Sequence, residues 1–395
     1  MTPATRQYLI ITGNYWAFTL TDGALRMLVV LHFHQLGYSP LELALLFVFY
    51  EFFGVLTNLA GGYLGARIGL NRTMNLGLLL QIVALGMLAV PASLLTIPWV
   101  MAAQGLSGIA KDLNKMSAKS GIKLLVDDAQ QGKLYKWVAL LTGSKNTLKG
   151  VGFFLGGALL MTIGFAGAVA SMAAALLLIW LSSLFLLGKD LGRSKAKPKF
   201  KDLFSKSPAI NLLSAARLFL FGARDVWFVI ALPVYLKTVL GWDFWQVGTF
   251  MACWIIGYGF IQTIAPRFTG MGSQAAVRWA AMLSVVPAGI ALALWLGINS
   301  ELALVGGLLL FGAVFAVNSS LHSYLIVSFA RADGVSLDVG FYYMSNAAGR
   351  LLGTVLSGWI YQVYGLEACL WVSTGMVVLA TVFAAGLSAR QPETA

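Results

Sequence analysis

The sequence is poor in charged residues and in cysteine. Of its 395 residues only 11% are Asp, Glu, Lys or Arg, whereas 59% are hydrophobic, and the mean hydropathy is +0.81. Soluble domains carry about 25% charged residues, so this composition excludes a soluble globular enzyme and a disordered chain. The two cysteines, Cys253 and Cys369, are too few for a disulfide framework or a thiolate metal site. The chain is therefore predicted to be a polytopic membrane protein.

The formal net charge of +12 does not indicate a nucleic-acid partner, because a basic groove needs a water-soluble surface. The sequence contains no HExxH, GxSxG or Walker motif and no cluster of metal-ligating residues. We therefore expect no enzymatic activity, no catalytic residues, no metal and no cofactor. What the composition leaves to explain is where the cations lie.

Apolar runs of roughly 20 residues, long enough to cross about 30 Å of hydrocarbon, predict an all-α membrane protein with twelve transmembrane helices. We place them near residues 8–34, 41–64, 73–96, 98–122, 134–163, 167–188, 208–236, 243–266, 276–298, 302–329, 338–362 and 367–388. Alternate loops hold most of the Lys and Arg residues, which predicts that both termini are cytoplasmic. The expected location is a bacterial inner membrane.

The chain reads as two related halves, and internal repeats of this kind are typical of secondary transporters. Residues 1–188 and 208–395 form six predicted spans each, and residues 189–207 form a basic cytoplasmic linker. At an offset of 201 residues Lys149 corresponds to Arg350 and Gly152 to Gly353, while Asp22 corresponds to Asp225 after one insertion. The predicted fold is therefore a pair of pseudo-symmetric six-helix bundles, the major facilitator fold.

Charges inside the predicted spans are the candidate functional residues, because each costs at least about 2.5–3.5 kcal/mol at the bilayer centre. We place eight cations and four acids there, a surplus of about four positive charges. The acids Asp22, Glu51 and Asp225 are candidate proton carriers. The candidate substrate ligands are Arg26, Lys111, Lys115, Lys145, Lys149, Arg217, Arg224 and Arg350, with the amide of Asn318 as a polar addition.

Part of this charge also has a purely structural interpretation. Asp22 and Arg26 are four residues apart, as an ion pair on one helix would be, and Asp112 is expected to pair with Lys115. Lys145 lies near enough to the interface to extend towards it, and polar side chains such as Asn318 also cross-link helices. Once each acid has one partner, about four cations remain, and such a mixture of Arg and Lys suits an organic anion with several charged groups.

Several stretches of the sequence resemble two known families. Residues 62–72, Gly-Tyr-Leu-Gly-Ala-Arg-Ile-Gly-Leu-Asn-Arg, resemble the loop motif of the major facilitators, except that Ala66 stands where that family has Asp. The gating salt bridge that normally uses the Asp is therefore in question. Residues 14–26, 108–119, 142–150 and 222–228 carry unusual charges for facilitators and resemble the ArsJ family of organoarsenical efflux permeases.

The second resemblance implies export of 1-arseno-3-phosphoglycerate, which glyceraldehyde-3-phosphate dehydrogenase makes when arsenate replaces phosphate. Together with that dehydrogenase, such a permease would confer arsenate resistance. We expect the remaining partners to be the lipid bilayer alone, with the protein a monomer, and coupling by proton antiport. Two alternatives stay open: an exchanger of sugar phosphates or other organic anions in the same superfamily, and a membrane receptor that does not transport.

Overall fold

The computed structural model describes residues 3–38, 46–127, 129–188, 191–194 and 207–389. Within these ranges the regular structure is helical and no strand is present. The α-helices in chain order are α1 (Pro3–Gln35), α2 (Val48–Ile68), α3 (Leu70–Leu88), α4 (Ile97–Leu125), α5 (Gln131–Leu186), α6 (Pro208–Phe228), α7 (Ala231–Thr238), α8 (Phe244–Ile264), α9 (Ser273–Trp295), α10 (Ser300–Phe329) and α11 (Val335–Ala389). Short 3₁₀ turns occupy Ala92–Leu94 and Ala265–Arg267.

Contacts divide the chain into two compact units. Unit 1 comprises Met1–Leu134, Ser144–Ser205 and Ala330–Met344, and unit 2 comprises Tyr135–Gly143, Lys206–Phe329 and Ser345–Ala395. The core of unit 2 is aromatic: the fully buried ring of Trp227 packs edge-on against Phe311 at a centroid distance of 5.0 Å. The predicted basic linker, 189–207, lies outside the described residues except for 191–194 and Ser207.

The long helix α5 turns back on itself at Gly164. Its backbone there has φ 70° and ψ 178°, a conformation that is essentially restricted to glycine. Ring stacking joins Phe165 to His32 in α1 at 4.2 Å, whereas Ser183 accepts a hydrogen bond from Asn14 at 2.8 Å. The segment of α5 before Gly164 packs along α1 in one direction, and the segment after Gly164 packs along α1 in the opposite direction. Helix α5 therefore consists of two antiparallel helical segments.

Helix α11 has the same architecture in unit 2. Gly365 has φ 81° and ψ −176°, and it lies 201 residues after Gly164. On one side of it the Ser357 hydroxyl accepts from the Ala231 backbone N–H at 3.1 Å, and on the other the Ser373 hydroxyl donates to the Ala223 carbonyl at 2.6 Å. The predicted breaks between spans at 163–167 and 362–367 are thus single-residue reversals rather than loops.

Glycines bring the paired helices close together in both units. A Cβ atom added at Gly152 would lie 2.7 Å from the Leu20 carbonyl oxygen of α1, and one added at Gly353 would lie 2.7 Å from the Gly222 carbonyl oxygen of α6. A Cβ tolerates neither distance without a shift of backbone. The glycine correspondence seen in the sequence therefore has a packing reason, which is the same in each half.

By length and composition, six helical stretches of the described residues are suited to cross a membrane: Gln131–Leu186, Pro208–Thr238, Trp245–Arg267, Ser273–Trp295, Ser300–Phe329 and Val335–Ala389. Helices α1 to α4 are of comparable length, but α1 and α4 carry the charges of the candidate site. The third predicted span, 73–96, ends earlier than expected, at Leu88, because the chain then turns through Pro91 and a 3₁₀ segment.

Candidate functional site

In unit 1, Asp22 of α1 forms an ion pair with Lys149 of α5. The Lys149 Nζ lies 3.9 Å from Asp22 Oδ2, and the Tyr50 hydroxyl donates to Asp22 Oδ1 at 2.7 Å. Lys149 reaches this position because the close approach at Gly23 and Gly152 brings α5 against α1. The carboxylate side chain is 6% exposed, so its charge is compensated by protein groups rather than by water.

Arg26 lies one turn further along α1 and pairs with Glu51 of α2, with Nη2 3.2 Å from Oε1. The sequence had favoured Asp22 as its partner on the same helix. The buried ring of Tyr50 explains the difference, since it lies under the guanidinium at 4.7 Å while its hydroxyl occupies the Asp22 carboxylate. Arg26 is thereby directed towards Glu51 and also lies 5.1 Å from the ring centroid of Phe47.

Helix α4 contributes a second ionic group, centred on Asp112. The Lys115 Nζ lies 2.5 Å from Asp112 Oδ1, as the sequence predicted, and the Lys111 Nζ lies 3.9 Å from Oδ2. Lys111 also stacks on the Tyr50 ring, 3.8 Å from its centroid. Tyr50 therefore contacts Asp22, Arg26 and Lys111, and it connects the ion pairs of α1, α2 and α4.

Lys145 is half-buried on the same helix as Lys149, and its charge acts on Lys149 together with those of Arg26 and Lys111. Counting Lys145, this ionic cluster of unit 1 contains five cations and three carboxylates. The cations are Arg26, Lys111, Lys115, Lys145 and Lys149, and the carboxylates are Asp22, Glu51 and Asp112.

In unit 2, two arginines hold the fully buried carboxylate of Asp225. Arg224 Nη2 lies 2.5 Å from Oδ1, and Arg350 Nε lies 2.9 Å from Oδ2. Arg350 comes from α11 and reaches Asp225 because Gly353 lets α11 lie directly against α6. One carboxylate is thus shared by two guanidinium groups, and this group contains two cations and one carboxylate.

Arg217 extends the unit 2 cluster by two turns of α6. It is 3% exposed, its Nε donates to Asn346 Oδ1 at 2.8 Å, and its Nη1 donates to the Ser319 carbonyl at 3.3 Å. The Phe221 ring lies between the two α6 arginines, 3.9 Å from the Arg217 guanidinium carbon and 5.0 Å from that of Arg224. The unit 2 cluster therefore consists of Arg217, Arg224 and Arg350 with Asp225 as its carboxylate.

The two clusters repeat one ion pair. Asp22 pairs with Lys149 in unit 1, and Asp225 pairs with Arg350 in unit 2. Both members of each pair occupy positions that correspond in the sequence repeat. The same ion pair therefore occurs once in each unit.

The side-chain amide of Asn318 contacts backbone carbonyls rather than the charged clusters. It is fully buried in α10, and its amide group donates to the Trp279 carbonyl at 2.8 Å and to the Val314 carbonyl at 3.0 Å. Both amide protons are thus used by the backbone of α9 and α10. This arrangement matches the helix cross-link that the sequence left open for Asn318.

Three residues of unit 1 that contact the site, Tyr50, Lys119 and Tyr343, were not predicted from the sequence. Tyr50 was missed, and its only signal in the sequence was its position beside Glu51. Lys119 lies within the fourth predicted span and continues the four-residue spacing of Lys111 and Lys115, but it was not counted among the intramembrane cations. Its ammonium donates to the Tyr343 hydroxyl, a contact that no sequence spacing indicates.

The facilitator-like motif is packed without an acid. Ala66 is fully buried against Leu337, and its carbonyl accepts from the Ser194 N–H at 2.8 Å. The Ser336 hydroxyl donates to the Gly62 carbonyl at 2.8 Å. Backbone carbonyls of this motif thus accept hydrogen bonds, and an apolar contact occupies the position where the family has a carboxylate.

A groove of about 360 Å³ lies between α1 and the second segment of α5. Its lining includes the polar side chains of Asn14 and Ser183 and the apolar side chains of Ile10, Leu178 and Leu186. It contains none of the candidate cations, so we do not assign the anion site to it. Among the described residues there is also no group of three His, Cys, Asp or Glu side chains that could hold a metal ion.

Solved structures with this fold are membrane transporters. The human organic anion transporter MFSD10 (TETRAN) superimposes with a TM-score of 0.79 at 18% identity, over 97% of this chain and 100% of that one. A bacterial homologue of the iron transporter ferroportin gives 0.76 at 15% identity, over 99% and 100%. The fucose:proton symporter of E. coli gives 0.73 at 11%, over 97% and 99%. These identities show the fold alone.

The family model described as Major Facilitator Superfamily matches residues 9–336. The chain therefore belongs to the Major Facilitator Superfamily. No curated protein matches it.

Proposed function

We propose that the protein exports an organic polyanion, 1-arseno-3-phosphoglycerate, and thereby confers arsenate resistance. The observation that supports this proposal is the repeated ion pair, Asp22–Lys149 and Asp225–Arg350, within two clusters that each hold more cations than carboxylates. The proposed substrate carries a carboxylate, a phosphate and an arsenate ester. Its several negative charges would offset the surplus of positive charge, which buried carboxylates only partly compensate.

In the proposed mechanism the anion competes with the protein carboxylates for the cations. The arginines Arg224 and Arg350 offer planar donors suited to bidentate phosphate or arsenate, while Lys111 and Lys149 act as point charges. After the anion has left on the outer side, Asp22 or Asp225 takes up a proton there; when the next anion binds from the cytoplasm, the carboxylate releases that proton to the cytoplasm. Alternating access with proton antiport follows, with Glu51 as a further candidate carrier.

We further propose twelve transmembrane helices in two six-helix bundles, 1–188 and 208–395, joined by the cytoplasmic linker 189–207. The reversals at Gly164 and Gly365 divide two long helices into four spans, α6 with α7 makes one, and α8, α9 and α10 make three. Helices α1 to α4 would supply four more, because charges directed to a cavity lower their apparent hydropathy. The proposed setting is a bacterial inner membrane, with a monomer whose termini are both cytoplasmic.

Uptake into everted membrane vesicles tests the substrate. Vesicles that contain the protein receive glyceraldehyde-3-phosphate dehydrogenase, its substrate and cofactor, and radioactive arsenate. We expect label to accumulate above the level of vesicles without the protein. Equal label in both preparations would reject 1-arseno-3-phosphoglycerate as the substrate.

Resistance of cells to arsenate tests the site. Lys149→Gln and Arg350→Gln should abolish resistance at unchanged protein abundance, because each removes one cation of the repeated pair. Lys136→Gln is the matched control, since Lys136 is exposed on α5 and should leave resistance intact. Full resistance in both site variants would reject the proposed anion site.

A second candidate is an exchanger of sugar phosphates, which the same cations would bind. Inhibition of uptake by glycerol-3-phosphate or free phosphate at concentrations near that of the substrate would favour it. Binding of the anion without flux would instead favour a receptor that does not transport.

A further inference from the structure

Lysines recur every four residues along α4, at positions 111, 115, 119 and 123. A rise of 1.5 Å per residue spreads them over roughly 18 Å of the helix. They run from Asp112 towards the C-terminal end of α4 at Leu125. Lys119 and Lys123 are only 3% and 8% exposed, so the series does not lie on a solvated face.

Two of these lysines share one tyrosine. Lys115 Nζ lies 4.8 Å and Lys119 Nζ lies 4.7 Å from the ring centroid of Tyr343, and Lys119 also donates to the Tyr343 hydroxyl. Both ammonium groups are thus within about 10 Å of each other in a largely buried place. Asp112 pairs with Lys115. Like charges at this separation repel each other, and an anion that contacts both ammonium groups would offset the repulsion.

We propose that Lys115 and Lys119, with the Tyr343 phenol between them, form a second anion-binding station on the path of the exported anion. It receives a phosphate, arsenate or carboxylate group before that group reaches Lys111 and Lys149. The inference rests on the proposed function and on the proposed orientation, in which the end of α4 at Leu125 is cytoplasmic.

Lysine suits such a station better than arginine. Its ammonium is a compact point charge with three donors on a flexible stem, so it holds an oxyanion without fixing its orientation. Conduction through successive sites requires binding that is strong enough for entry and weak enough for release. The lysine series of α4 meets this condition, whereas the two arginines around Asp225 are suited to tighter, oriented binding.

Kinetics from the cytoplasmic face test the station. Everted vesicles are supplied with the dehydrogenase, its substrate and cofactor, and radioactive arsenate, and the KM and maximal rate of label uptake are measured. Lys119→Gln should raise the KM about tenfold, the usual effect of losing one charge-assisted hydrogen bond, and should leave the maximal rate nearly unchanged. Lys119→Arg should keep the wild-type KM, because it keeps the charge. Lys136→Gln is the control for an exposed lysine.

Tyr343→Phe provides a second test that does not remove a charge. It deletes the hydroxyl to which Lys119 donates but keeps the ring, so the KM should rise about threefold, less than for Lys119→Gln. If Lys119→Gln is not inserted into the membrane, the KM of Tyr343→Phe tests the proposal in its place. A wild-type KM in Tyr343→Phe, or an Arg variant as impaired as the Gln variant, would overturn the proposal.

The results also distinguish a failure of the proposed anion-binding station from a failure of the proposed function. Wild-type vesicles that accumulate no label contradict the proposed substrate. Wild-type vesicles that accumulate label with the same KM as Lys119→Gln contradict only the station. Titration of the purified protein with 3-phosphoglycerate, a stable anion with a phosphate and a carboxylate, should show weaker binding to Lys119→Gln.

Discussion

Replacing Asp225 by asparagine should destabilise unit 2 strongly. Asp225 is fully buried, and its two oxygens accept from Arg224 at 2.5 Å and from Arg350 at 2.9 Å. The substitution keeps the size of the side chain but removes the negative charge. Two partly buried guanidinium groups then repel each other without the buried carboxylate between them, and breaking a buried pair costs about 3–5 kcal/mol.

Asp22→Asn is the comparison that shows whether the number of cations matters. Asp22 has one lysine at 3.9 Å and one hydrogen bond from Tyr50 at 2.7 Å. The loss should be smaller, about 1–3 kcal/mol. The double variant Asp225→Asn with Arg350→Gln should recover part of the stability, because it removes one of the two uncompensated charges; coupling of about 0.5–3 kcal/mol is expected for contacting residues.

Thermal unfolding of the purified variants in detergent, followed by tryptophan fluorescence, measures these differences. Glu301→Gln serves as the control, since Glu301 is exposed and its replacement still accepts from Trp242. Added phosphate should stabilise Asp225→Asn more than the wild type, because the anion takes the carboxylate's place. An Asp225→Asn protein as stable as Glu301→Gln, or a double variant less stable than Asp225→Asn, would refute the reasoning.

Two further predictions concern packing and the tyrosine of unit 1. Gly349→Ala should destabilise the protein by about 1–3 kcal/mol, because the added Cβ would meet the Leu218 carbonyl. Gly375→Ala is the control and should leave the stability unchanged, because its Cβ would meet nothing within 4 Å. Equal thermal stability of the two variants would contradict the close approach of α11 to α6. Tyr50→Phe should reduce uptake less than Tyr50→Leu, because it loses the hydrogen bond to Asp22 but keeps the ring under Arg26 and Lys111. Uptake is measured in vesicles that contain the variants at matched abundance. Equal uptake by the two variants would refute this prediction.

The sequence was sufficient to predict which charged residues correspond between the two halves. Lys149 and Arg350 correspond, as do Asp22 and Asp225, and the structure joins each cation to the acid of its own half. Glycine spacing explains why: Gly152 and Gly353 select the face of the helix that approaches α1 or α6. Charge cost and repeat position together thus located residues that the fold places in contact.

Partners within a cluster could not be predicted in the same way. The spacing of Asp22 and Arg26 favoured a pair on one helix, yet Arg26 contacts Glu51 of α2. Which residue meets which depends on the rotation of α2 about its axis, and that rotation is set by packing around Tyr50. The contact of Lys119 with Tyr343 depends likewise on how the start of α11 packs within unit 1. The two residues are separated by more than two hundred positions in the sequence.

The reversals at Gly164 and Gly365 bear on how the protein is made. Each joins two long apolar segments through one residue, so no hydrophilic connection has to be moved through the lipid between them. We therefore expect the two segments on either side of each glycine to enter the bilayer together as one hairpin. The same step is expected for both long helices, because each has the same single-residue reversal.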